Sequence, residues 1–132
     1  MKSTIEMLKL MTDSHRLRIL MILGKKELSV CQLMGILDIS QPLVSRNLGL
    51  LSRGGFLEER REGKLRFYRI RQDLPDNRKA VINLLNTLMK SDTTYRKDLA
   101  TLKQCSIFQK KAGRCDMETL KEFMKWKKRR QQ

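Results

Sequence analysis

A mainly helical fold carrying one small β-hairpin is predicted by three features of this sequence. Residues 29–54, SVCQLMGILDISQPLVSRNLGLLSRG, contain two short helical patterns joined by a tight turn. The next stretch, FLEERREGKLRFYRI, changes to strand spacing around a glycine-bearing polar loop. The chain of 132 residues also carries 29 Lys and Arg against 14 Asp and Glu, a formal charge of +15. That excess is the footprint of a polyanion binder, with nucleic acid the first candidate and an anionic membrane surface the second.

Each element has a local reason. Ile5, Leu8 and Met11, with Met7 and Leu10 beside them, predict a short helix over residues 3–11 that is apolar on most of its surface and must be covered, by a second chain in this reading. Asp13 or Ser14 caps the next helix, where Leu17, Leu20, Met21 and Ile22 form a buried stripe and Gly24 a stop. His15 is the only histidine, and without a second one it reads as a surface or capping residue rather than a metal ligand. Ser29 and Gln32 form a capping box for a helix from about Val30 to Asp38. Ser40 can cap the helix after it, Pro42 fits its first turn, and Gly54-Gly55 ends it.

Laid out at the helical period, that last helix divides into an apolar side, Val44, Leu48 and Leu51, and a polar side, Ser45, Arg46, Gly49 and Arg53. Small residues in the middle of the polar side let a helix sit deep in a major groove, and the flanking donors reach bases and phosphates. An ordinary amphipathic surface helix would show the same division. The hairpin that follows favours the first reading: Gly63 supplies its turn, and Arg60, Arg61, Lys64 and Arg66 crowd its tip with Glu62 among them, placed for phosphates or a minor groove.

Beyond Pro75 a long helix carries Val81, Leu84, Leu85 and Leu88, more apolar surface than one protomer of this size buries. It is expected to pair, together with Ile5 and Leu8, against a second subunit about a two-fold axis. Residues 1–91 thus form a DNA-binding and dimerisation domain. Residues 92–132 form a helical extension with Leu99 and Leu102 in its first part, a looser stretch around Gly113, and a final helix capped by Asp116. It ends in KWKKRRQQ, which reads equally as a solubilising end or as extra phosphate contacts.

Composition excludes several classes. No apolar run approaches a bilayer span, and Glu6 and Lys9 interrupt what would be a signal's apolar region, so a cytoplasmic protein with no membrane partner is expected. An aromatic content of 5% argues against a stacking platform for single strands. No acid and base pair, phosphate-cradling glycine loop or nucleophile with a histidine partner supports an enzyme. Cys31, Cys105 and Cys115 are an odd set in a reducing compartment, which leaves a thiolate site or inert burial rather than a disulfide framework.

Helix, helix, helix-turn-helix, hairpin, long helix is the winged-helix order, and residues 3–90, especially SQPLVSRNL and RREGK, resemble the ArsR/SmtB family of dimeric, metal-responsive bacterial repressors. The resemblance implies a homodimer on a pseudo-palindromic double-stranded operator, with Ser40, Gln41, Ser45 and Arg46 contacting bases and phosphates. Pro42 stands where relatives often carry a hydroxyl or charged residue, and Asn47 replaces a frequent histidine. Arsenic-sensing members read ELCVCDL where this chain reads ELSVCQL, so Cys31 matches one ligand and Ser29 occupies the place of the other. Cys105 and Cys115 can complete a three-thiolate site for trivalent arsenic or antimony, released from DNA on binding. The alternatives are a repressor sensing redox state or persulfide through Cys105 and Cys115, and a basic DNA-binding module without sequence preference or effector.

Overall fold

The computed structural model describes residues 1–112 and 117–131, with side chains of 107–112, 117–120 and 130–131 left aside. The chain folds as α1 (Lys2–Leu10), α2 (Ser14–Leu23), β1 (Leu28–Ser29), α3 (Val30–Leu37), α4 (Gln41–Arg53), β2 (Leu57–Glu62), β3 (Leu65–Ile70), α5 (Asp76–Met89), α6 (Thr93–Ala112) and α7 (Met117–Gln131). No helix among the described residues is long and apolar enough to cross a membrane.

Among the described residues the helix ends follow the anticipated chemistry with one exception; the expected Asp116 cap of the last helix lies outside them. Asp13 takes the N-cap of α2, its carboxylate accepting from the Arg16 N–H at 3.1 Å. That bond, working against desolvation, holds the Asp13 carboxyl below the usual range. Ser29 and Gln32 close the full capping box of α3, with Ser29 N–H donating to Gln32 Oε1 at 2.8 Å and Gln32 N–H to Ser29 Oγ at 3.2 Å. Ser40 does occupy the N-cap of α4, but its hydroxyl makes no cap hydrogen bond; the helix starts on Pro42 in its first turn instead. The far end closes as a Schellman motif: Phe56 N–H reaches Leu51 O, Gly55 N–H reaches Ser52 O, and Gly55 takes the positive φ of 85° that the motif needs.

The hairpin pairs Leu57 with Ile70 through to Glu62 with Leu65, leaving Gly63-Lys64 as a two-residue turn with Gly63 at φ 61°. Positive φ at the first central position is what a type II′ connection requires, and its twist matches that of the strands. The sheet has a third member absent from the sequence-based expectation. Leu28 and Ser29 pair antiparallel with Tyr68 and Phe67, giving the order β1-β3-β2.

Val44, Leu48 and Leu51 of α4 are fully buried with Ile19, Leu20 and Ile22 of α2, Leu33, Ile36 and Leu37 of α3, and Phe56. Each such side chain contributes about 1.5–3 kcal/mol relative to exposure, so α4 cannot rotate on its seat without exposing apolar surface. Arg16 fixes it further, donating from Nε to Leu10 O at 2.7 Å and from its guanidinium to Asn47 Oδ1 at 3.4 Å, while Asn47 Nδ2 donates to Leu43 O. Asn47 is therefore buried structure on the inward side of α4. Helix α6 lies against α2 and α3, and α7 against α3. Tyr95, Leu102, Cys105 and Phe123 join the same core as the helix-turn-helix.

Candidate nucleic-acid interface

The rotation of α4 set by its buried side leaves Ser40, Gln41, Ser45, Arg46 and Arg53 exposed. Arg46 and Arg53 make no ion pair among the described residues. Gly49 sits half-exposed between them, and a Cβ there would come 3.3 Å from the Arg53 guanidinium. The glycine thus leaves room for that guanidinium to lie back along the ridge. Between this ridge and the hairpin runs an open cleft of ≈ 710 Å³, lined by Gln41, Ser45, Gly49 and Arg53 on one wall and Lys64, Arg66 and Tyr68 on the other.

The hairpin's cations are less free than their sequence neighbourhood suggests. Glu62 is the acid that the sequence places among them at the tip, yet Arg60 is gripped by Glu27 at 2.7 Å as well as by Glu62 at 3.0 Å, and lies 4.8 Å over the Phe67 ring. The two carboxylates push the Arg60 guanidinium above its usual range, and Glu27 is pulled below its own. Glu59 stands 3.8 Å from Arg61 and 3.5 Å from Arg66, which are cross-strand partners. Lys64, in the turn, is the hairpin cation with no such ion pair among the described residues.

The thiols are distributed differently from the ridge. Cys31, half-buried in the first turn of α3, lines the same cleft as Ser45 and Gly49. Cys105 is buried on α6 within the core, and Cys115 lies outside the described residues. Ser29, at the second ligand position implied by the resemblance, is buried with its hydroxyl committed to the capping box. Among the described residues no three His, Cys, Asp or Glu side chains converge as a metal site. His15 is half-buried on the first turn of α2, and its Nδ1 has no hydrogen-bond partner among the described residues.

The apolar positions expected at a subunit interface split into two groups. Ile5 and Leu8 on α1 and Leu84 and Leu88 on α5 are exposed, the last two at 55% and 64%. Val81 and Leu85 do not join them. At 8% and 7% exposure they pack into the protomer's own core, one helical face round from Leu84 and Leu88.

A helix-turn-helix with an outward polar ridge, flanked by a basic hairpin across a cleft, defines a winged helix-turn-helix domain. A sequence profile described as "Bacterial regulatory protein, arsR family" matches residues 13–59. The arsenical resistance operon repressor of Escherichia coli is 42% identical over 72 residues, 54% of this chain and 62% of that protein. The transcriptional activator HlyU of Vibrio cholerae is 38% identical over 82 residues, 62% of this chain and 73% of that protein. The solved structure of reduced HlyU superposes with a TM-score of 0.58 at 36% identity, covering 66% of this chain and 88% of that one. A homodimeric winged helix-turn-helix DNA-binding domain from Mycobacterium bovis superposes at 0.57 and 25% identity, covering 70% and 82%. The chain belongs to the arsR family of bacterial regulatory proteins. It spans 53–62% of the length of the arsenic-resistance regulators of E. coli and Pseudomonas putida that it matches.

Proposed function

We propose that this protein is a homodimeric transcriptional repressor that binds a pseudo-palindromic double-stranded operator, placing α4 in the major groove and the hairpin against the adjacent backbone. The observation that carries this reading is the ridge itself: Gln41, Ser45, Arg46 and Arg53 stand outward on a helix whose opposite side is fully buried, so their directions are fixed before DNA arrives. Ser40, Gln41, Ser45 and Arg46 serve as base and phosphate contacts; Arg53, Arg60, Arg61, Lys64 and Arg66 serve phosphates. Ile5, Leu8, Leu84 and Leu88 supply the apolar face for a second copy, in keeping with the homodimeric M. bovis domain. A sizing column and an operator titration test both halves. A monomer at micromolar concentration, or equal affinity for operator and bulk DNA, would remove this reading in favour of a non-specific basic module.

For the effector, similarity to arsenical repressors and the place of Cys31 in the cleft lining beside the ridge support trivalent arsenic or antimony held by thiolates. Among the described residues no three such ligands converge; a set of three thiolates draws on Cys31, on Cys105 in the core, and on Cys115, which lies outside them. Likeness to HlyU, solved in a form named as reduced, supports the alternative in which oxidation of Cys105 and Cys115 is the signal. Thiol counting on the intact protein separates them. Loss of three titratable thiols with arsenite supports the metalloid, loss of two with peroxide supports the redox sensor, and no change with either leaves a constitutive DNA binder.

A further inference from the structure

Helix α3 ends on the turn that aims α4, and two of the groups that satisfy its last carbonyls depend on the far end of the chain. An α-helix leaves its final four C=O groups without intrahelical partners. In α3, Met34 O accepts from the Asp38 N–H at 3.0 Å, Leu37 O from the Arg18 guanidinium at 2.8 Å, and Gly35 O from Lys127 Nζ on α7 at 3.2 Å. Arg18 is in turn clamped by both carboxylate oxygens of Asp98 on α6, at 3.0 and 2.9 Å, and Asp98 is 3% exposed. Two of the three donors on the end of α3 therefore depend on the last two helices.

The place they hold is a demanding one. Asp38 adopts φ 56°, ψ 49°, and is the one non-glycine residue among those described with a positive φ. Arg18 and Lys127 both lie close enough to feel its charge. Two cations at a helix C-terminus also oppose the negative end of the helix dipole, so the same groups hydrogen-bond the carbonyls and neutralise their field. Residues 93–131 lie outside the stretch matched by the family profile, which ends at residue 59.

We infer that α6 and α7 form a latch on the helix-turn-helix, with Lys127 and the Asp98-held Arg18 as positioning residues that fix the α3–α4 turn and hence the angle at which α4 meets DNA. The inference rests on the DNA-binding reading for its consequence, though not for its structural content. Asp98 is buried and the Lys127 ammonium is spent on Gly35 O, so both act through the turn.

The test compares Lys127→Met, Lys127→Arg and Asp98→Asn in the full chain, with Lys121→Met as a control that removes one exposed positive charge elsewhere on α7. Affinity is measured for DNA selected by the wild type and for random-sequence duplex, and amide hydrogen exchange is followed across residues 38–43. Lys127→Met and Asp98→Asn should each lower the ratio of specific to random affinity by about 5-fold, with Lys127→Arg restoring most of it and Lys121→Met leaving the ratio alone. Exchange in the turn should accelerate for the first two variants only. A ratio within about 2-fold of wild type together with unchanged exchange in Lys127→Met would overturn the latch, even if melting temperature falls. Should the wild type show no preference among DNA sequences, the DNA reading fails while the exchange data still decide the latch.

Discussion

The ridge of α4 and the tip of the hairpin are both rich in arginine, but the charge is held differently in each. Arg46 and Arg53 stand on a fully seated helix without acidic partners among the described residues, while Arg60, Arg61 and Arg66 share Glu27, Glu59 and Glu62. A guanidinium already bound to a carboxylate gains less from a phosphate, because the first partner must be displaced. The ridge should therefore supply specificity and much of the affinity, and the hairpin a smaller, salt-sensitive share.

The largest effect should come from removing the geometry both regions share. Leu88→Asp, on the exposed side of α5, should give a folded monomer whose operator affinity falls by about 100-fold or more, read by sedimentation and DNA titration, because two half-site contacts become one. A folded dimer would show that the apolar face lies elsewhere. Leu85→Asp, by contrast, buries a charge in the core and should unfold the protein. Next in size, Arg46→Ala should cost about 1–3 kcal/mol of specific binding while leaving the melting temperature and dimer unchanged. Arg61→Ala should cost less and chiefly flatten the salt dependence; equal losses at the two sites would erase the contrast between ridge and hairpin.

The seat of the ridge can be tested through its supports. Asp13→Ala removes the cap of α2, the helix whose Arg16 ties down Asn47, and should cost about 1 kcal/mol of stability in denaturant melts. The folded state holds the Asp13 proton less tightly than the unfolded chain does. Its stabilisation is thus complete above the ordinary carboxylate pKa and lost as pH falls through the depressed one, so wild type and variant should converge in strong acid. Glu59→Gln should have the smallest effect and the opposite sign: freeing Arg61 and Arg66 should tighten DNA binding by about 2-fold at low salt. A weakening would mean that Glu59 positions these arginines instead of competing with DNA for them.

What the sequence makes legible here is what is local. The Ser29–Gln32 box, Pro42, Gly55 and Gly63 act within a few residues of themselves, and the helix-turn-helix and hairpin fall where those residues require. The outward side of α4 is equally legible, since the helical period alone separates Val44, Leu48 and Leu51 from Ser45 and Arg46. What escapes is whatever joins distant positions. Leu28 and Ser29 become a strand only because β3 passes beside them, Glu27 meets Arg60 only through that sheet, and Arg18 meets Asp98 across eighty positions of chain. Val81 and Leu85 fall in the same gap: α5 is apolar on two sides, and only its packing says which side, that of Val81 and Leu85, belongs to its own protomer's core. Ser40 shows a local rule offered and not used: it is exposed at the N-cap and its hydroxyl makes no cap hydrogen bond.

Methylation interference on duplexes selected from a random pool by the intact protein tests the central claim most directly, because N7 methylation of guanine blocks the major groove and nothing else. Two symmetric clusters of interference, centred about 10 base pairs apart or a multiple of that, are predicted, with Arg46→Ala erasing part of each cluster. Interference scattered without symmetry, or none in the major groove at all, would contradict a paired α4 reading head.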